Sequence, residues 1–537
     1  MSDQMNDDMQ NVVPEPVKEE EGAERLVNEQ EQPMNEQKRP MSEQEQRIYQ
    51  QKLARQAEMA AIKQENDRQE ACVKVIGDQF GYYGLLSFAF GVLYSLCLYK
   101  NTSGILVPVF TAVSYGIAYL VLKKMNVEVK RWSYYLAGIS LLISISTCRT
   151  ANYFFLFFNK QAVLLLWWVF WLHQFYHDDS WNIGKYFCSI IQFIFRAVCA
   201  LGYPFQHCAA YVKSLKSQKS RNLVMVLLGV AVAIPLVSLL TVLLSEADMV
   251  FQDILTTFLD TFLKPGTVIG VICKTLFGMI VCYCIICEVS RKGISETSED
   301  RRKQEPIVAI TAMGLVGLLY VMFCGIQIVY LFMGKGVLPD NMTYSEYARQ
   351  GFFQLVFVSV LNLVLVLLCL KYFRKSRILN GVLTVISLCT YVMMASAAYR
   401  MILYISEYHL TLLRILVLWF LVVLAILMAG VLLIIYRNTF PLFRYCLVVI
   451  SMAYMVLSWS KPDFIIAKYN CRYVDEWGYQ DIYYITHLSA DAAPEVAKLK
   501  GISIDEHDYV NRFFGSNDKK MSWRTYNFTY AKAKKYQ

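Results

Sequence analysis

From about Phe80 to Ser458 the chain repeats one pattern, a long apolar run followed by a short polar break. Runs of about 20 apolar residues match the thickness of a bilayer core when helical. Helices also satisfy their own backbone groups where no water is available. The pattern predicts eleven spans, at 81–99, 104–122, 132–147, 161–176, 222–244, 266–289, 307–332, 351–370, 378–398, 411–436 and 440–458. The expected fold is therefore an all-α polytopic transmembrane bundle.

Three other stretches have different patterns. Residues 1–42 are Glu/Gln-rich with almost no apolar cluster, so a disordered acidic tail is expected. Residues 43–80 are rich in helix formers and read as a cytoplasmic helix leading into the first span. At about 183–213 and 245–264, polar stripes oppose apolar faces, which predicts helices lying in the membrane interface. In the first of these, Lys185, Ser189, Gln192, Arg196 and Tyr203 oppose Phe187, Ile190, Ile191, Ile194, Phe195 and Val198. Residues 461–537, rich in aromatics and too few to fold robustly alone, read as a small C-terminal helical cap docked on the bundle.

Composition agrees with a membrane chain: 537 residues, 56% hydrophobic, 18% charged, mean hydropathy +0.35. The net charge of +9 does not point to nucleic acid, because the basic residues gather at span ends. With the N-terminus inside, the inner segments carry 21 Lys and Arg and the outer ones 7. That bias places the N-terminus in the cytoplasm. An odd span number then places the cap outside the cell (plasma) membrane.

The cysteines, fifteen in all, lie mostly within spans and read as small hydrophobes. Cys282, Cys284 and Cys287 fall on different helix faces, and His173 and His177 lack a completing HExxH glutamate, so neither motif predicts a metal. No metal or cofactor is expected. Lys274, deep in the sixth span, is the intramembrane candidate. At the ninth-to-tenth junction, Arg400, Tyr404, Glu407, Thr411 and Arg414 share one face if helical. Two Arg–Glu ion pairs are expected there, unless a tight turn at Glu407–His409 breaks the stripe.

Several stretches in order resemble an uncharacterised bacterial family of multi-pass membrane proteins, a domain of unknown function. They are LLSEADMVF (243–251), TYSEYARQGFFQL (343–355), YRMILYISEYHLTLLRILVLWF (399–420), PDFIIAKYN (462–470), YITHLSADAAPEV (484–496) and WRTYNFTYAKAK (523–534). The resemblance covers about residues 220–537. It departs at Glu246, at His409, where the family has Gly, and at Lys461, where it has Asn. It implies an integral membrane protein and no known chemistry.

Together the stretches bring polar residues to the expected outer face. The candidate cluster is Asp248, Tyr344, Glu346, Tyr347, Arg349, Arg400, Glu407, Arg414, Asp463, Asn470, Asp481 and Asp491. Its expected role is to clamp the cap more than to catalyse. The expected function is a non-enzymatic envelope sensor, scaffold or assembly component. Its partners would be the lipid bilayer and a protein bound through the N-terminal helix or the cap. A transporter or lipid-handling permease is the alternative, and an enzyme on a lipid-linked substrate a further one.

Overall fold

The structure is a computed structural model. It describes residues 43–101, 103–178, 181, 183–215, 265–294, 302–329, 351–437, 440–476, 479–499, 509 and 523–536, with scattered positions between 222 and 248. The chain divides into two compact units, Met1–Arg68 and Gln69–Gln537. In the first unit, residues 43–68 belong to helix α1 (Glu43–Asp78), and their described side chains are all exposed.

The second unit is all-helical among the described residues. Its longer helices are α2 (Phe80–Leu98), α3 (Leu106–Lys124), α4 (Arg131–Ser146) and α5 (Tyr153–Phe175), then α6 (Ile183–Cys199) and α7 (Tyr203–Ser214). They continue with α8 (Pro265–Arg291), α9 (Pro306–Gln327), α10 (Phe352–Tyr372), α11 (Arg377–Tyr408), α12 (Leu412–Tyr436) and α13 (Leu442–Trp459). Short helices α14 (Pro462–Asn470), α15 (Tyr479–Thr486), α16 (Ala493–Val496) and α17 (Phe528–Ala533) close the chain. Ten helical segments among the described residues are long and apolar enough to cross a membrane. The chain is an integral, multi-pass membrane protein.

Ten is not eleven, for three reasons. Helix α4 lies where a span is expected but is only 16 residues long. The expected 222–244 span is described only at scattered positions, so it does not enter that count. The α6–α7 segment, 183–214, meets the length and apolarity test, yet its contacts keep it at one end of the bundle. Tyr186 stacks on Phe443 at the start of α13, with ring centroids 3.6 Å apart. Arg196 pairs with Glu288 near the end of α8. His207 meets the Tyr283 hydroxyl at 2.8 Å. A spanning helix of this length would extend about 48 Å at 1.5 Å per residue, so its two ends could not both touch that level. Its exposed face is apolar, with Phe187, Ile191 and Phe195 outward. Ser189 is buried and Arg196 turns inward.

We call the end where α2 begins the near end. Helix ends alternate from there. Lys130, before α4, donates to the carbonyls of His173 and Tyr176 at the close of α5, at 2.6 and 2.8 Å. Gln304, before α9, bridges to Phe373, after α10.

Two buried clusters form the core. One joins α2–α6 with α8, and the other joins α9–α12 with the closing helices. Helix α13 spans the seam between them through polar contacts. Asn159, fully buried on α5, donates to Ser146 of α4 at 2.6 Å and accepts from Tyr454 and Ser458 of α13 at 2.8 and 2.9 Å. Such contacts suit a bilayer, where apolar faces alone give helices little reason to pair.

Helix α2 approaches α8 closely. A Cβ on Gly91 would lie 2.3 Å from the Thr275 carbonyl oxygen and 2.8 Å from the Met279 nitrogen, both backbone atoms that cannot swing aside. Gly116 on α3 faces open space. Gly91→Val should therefore destabilise the folded unit by about 1–3 kcal/mol through overpacking. Gly116→Ala should be neutral or stabilising by up to about 1 kcal/mol. Thermal melting of the purified chain in detergent, read by size-exclusion, separates these outcomes.

Candidate functional site

The polar residues of the closing segment meet the far end of the bundle. That end collects the loops at 98–105, 147–152 and 409–411 and the end of α13. Helix α14 starts after Lys461, which holds a left-handed backbone, φ 52° and ψ 71°. That turn folds α14 back across the bundle end, with Asp463 in its first turn, where a negative charge suits the helix dipole.

Asp463 is 3% exposed. Both its oxygens accept from Asn152 Nδ2, each at 2.9 Å, and Oδ2 also accepts from the Ser489 backbone N–H at 3.1 Å. Asn152 in turn caps α5, its Oδ1 accepting from Phe154 N–H. Asp491, also 3% exposed, receives more donors. Its Oδ2 accepts from the Thr150 hydroxyl at 2.6 Å and the Ala151 N–H at 3.1 Å. Its Oδ1 accepts from the Thr529 hydroxyl at 2.8 Å and lies 3.7 Å from Lys461 Nζ. Three stretches distant in sequence therefore converge on one carboxylate.

Further contacts extend the junction. Asn527 Nδ2 donates to the Thr147 and Thr150 carbonyls at 3.1 and 2.9 Å. Phe528 N–H donates to the Cys148 carbonyl at 2.8 Å, and Ile105 N–H to the Tyr526 carbonyl at 3.1 Å. Arg524 donates to the carbonyls of Leu96 and Tyr99 at the end of α2.

The α11–α12 junction is the second part of the site. The expected continuous face Arg400–Arg414 is broken, because α11 ends at Tyr408 and His409 adopts φ 60°, ψ −177°. Almost only glycine adopts that conformation without strain. The surroundings hold it. Arg414 donates to the carbonyls of Tyr408 and His409, and its guanidinium lies 4.4 Å from the Tyr404 ring centroid. Asn470 grips Leu410 from both sides, accepting its N–H at 2.9 Å and donating to its carbonyl at 3.0 Å. The Tyr484 hydroxyl accepts from Leu412 N–H at 2.9 Å. Arg414 thus caps the α11 C-terminus, whose partial negative charge favours a cation. The expected Arg–Glu–Arg pairing does not describe these groups, since Glu407 is exposed and Arg414 is turned to carbonyls.

The remaining candidates are placed as follows. Arg400 is buried, with Nη1 3.2 Å from where a Cβ on Gly351 would stand. Gly351 itself has φ 81° at the start of α10. Asp248 is exposed and Asp481 is half-buried at the start of α15. Lys274 lies over the Tyr99 ring, 5.4 Å from its centroid. Tyr344, Glu346, Tyr347 and Arg349 lie outside the described residues, as does most of 245–264. At the near end, His173 and His177 do not share a site. Asp178 instead draws His173 Nδ1 at 2.9 Å, Arg444 at 3.3 Å and the Tyr186 hydroxyl.

Sequence reasoning missed Thr150, Asn152, Lys461, Ser489, Asn527 and Thr529. Each is a single polar residue at a helix boundary. The cap signatures Asn152 before Tyr153, Ser489 before Ala490 and Asn527 before Phe528 were available from helix-start rules.

A family model described as Domain of unknown function (DUF4153) matches residues 137–499, and the chain belongs to that family. The match begins within α4 and stops before the closing 523–534 stretch. Comparisons with curated proteins and with solved structures give no match.

Burial raises the Asp463 carboxyl above its ordinary range, with hydrogen bonds from Ser489 and Asn152 opposing only in part. The folded chain therefore holds this proton more tightly than the unfolded chain. The group's contribution to stability is greatest below the ordinary aspartate value of about 3.9 and falls as pH rises through the raised folded value. Asp463→Asn cannot titrate here. The wild-type minus Asp463→Asn difference in melting temperature should therefore grow in favour of wild type as pH drops from about 7 toward about 4. Parallel profiles would show that Asp463 ionises freely.

Proposed function

We propose that this DUF4153 chain is a non-enzymatic component of a bacterial cell membrane, a scaffold or assembly factor whose closing helices form a fixed cap on one face. The observation that carries this reading is the use of Asp463 and Asp491 by internal donors. A catalytic base must reach a substrate proton within hydrogen-bond distance, and these buried carboxylates are turned to Asn152, Thr150, Ala151, Ser489 and Thr529. The arginine at the α11–α12 turn likewise serves the backbone. These uses favour a clamp over a reaction centre or a transport path.

The Lys and Arg bias supports an orientation with α1 in the cytoplasm and the cap on the extracytoplasmic side. The exposed Ile48, Leu53, Met59 and Ile62 of α1 support a protein partner for that helix.

The test compares three chains expressed at equal membrane levels in a strain lacking its own copy: full length, the chain without residues 1–68, and Lys274→Ala. Native electrophoresis of gently solubilised membranes reads the assembly. The full chain should migrate in a discrete complex well above its 61.9 kDa. The truncated chain should leave that complex and Lys274→Ala should stay in it. A full chain that runs alone, or an assembly that survives the truncation, would contradict the reading.

A further inference from the structure

Beside the clamp lies a cavity of about 240 Å³, lined by Arg149, Lys461 and Lys532 together with Asp491, Thr529 and Phe464. Three cations face one small space, and the single carboxylate among them is shared between Lys461, 3.7 Å away, and the donors Thr150, Ala151 and Thr529. The charge excess is therefore positive. The chain pays to keep it there, since Lys461 is held at a left-handed backbone with only 26% of its side chain exposed. Burial pushes the Lys461 ammonium below its usual range; Asp491 opposes most strongly, and Arg149 and Lys532 add smaller repulsions. An anion in the cavity would relieve that repulsion.

We propose that this cavity binds a phosphate group, with Arg149, Lys461 and Lys532 as its cationic contacts. Guanidinium and ammonium groups make their strongest hydrogen bonds to such oxyanions. The place in the fold favours phosphate carried on a lipid headgroup. Arg149 lies over the Trp459 ring, 4.5 Å from its centroid, at the very end of α13. Tryptophan at a helix end marks the headgroup level of a bilayer, where arginine and lysine side chains can meet a lipid phosphate through charge-assisted hydrogen bonds. The proposal does not depend on the scaffold reading, because a cap of any function could carry the site.

The test uses the full chain and the double variant Arg149→Gln/Lys532→Gln. Both positions are exposed, so the fold should survive, which a melting curve without ligand checks. One arm adds inorganic phosphate in neutral detergent and reads the melting temperature. The other reconstitutes the chain in nanodiscs of phosphatidylglycerol mixed with phosphatidylcholine and reads retained lipid by native mass spectrometry. We expect wild type to retain phosphatidylglycerol in preference, and the variant to lose at least about fivefold of that preference, as expected for removing two charge-assisted contacts. Phosphate stabilisation lost in the variant, without lipid preference, would assign the same site to a soluble phosphate. Equal behaviour of wild type and variant in both arms would overturn the proposal.

Discussion

Asp491 is withdrawn from water, and a polar group so placed must be answered by protein donors. The groups that answer it belong to different parts of the chain. Thr150 and Ala151 come from the turn between α4 and α5, Thr529 from α17, and Lys461 from the turn after α13. The carboxylate gives them a common partner, and Asp463 repeats the device with Asn152 and Ser489. Removing one partner of such a group leaves a desolvated charge or an unmet donor, so the arrangement favours all partners present together.

The rest of the architecture follows from this constraint and from the bilayer. Apolar surface is cheap inside a membrane, so specificity between helices must come from close packing and from polar contacts. Gly91 against α8 supplies the first, and the Ser146–Asn159–Ser458 contacts along α13 supply the second. Helix α13 then delivers Lys461 and α14 to the far end. The junctions there are turns in unusual backbone conformations, at His409 and Lys461. Arg414, Asn470 and the carboxylate pair hold these turns.

Much of the bundle was legible in the sequence, because hydropathy reports burial in lipid directly. The starts of α2, α9, α11 and α13 fall within two residues of the expected spans. Helix α5 begins well before its expected start, since Phe154, Phe155, Leu156, Phe157 and Phe158 extend the helix beyond the bilayer-length window. Asp463, Asn470 and Asp491 stood out as acids and amides in otherwise apolar motifs. Their partners did not, because an isolated Thr or Asn at a helix boundary leaves no periodic trace. Arg414 was legible only in part, because of the two arrangements left open the turn at Glu407–His409 is the one that forms. Helical spacing put Glu407 within its reach, whereas the positive φ at His409 ended the helix and presented free carbonyls instead.

Hydrogen exchange on the full chain in nanodiscs, comparing wild type with Asp491→Ala, tests the clamp most directly. If one carboxylate ties the cap to the bundle, the amides of 147–152, 462–470, 479–496 and 527–533 should lose protection together. Those of α9–α12 within the bundle should keep theirs. Loss confined to residues 489–493 would contradict the account, since it would mean that the cap is held by its apolar contacts and that Asp491 only shapes its own turn.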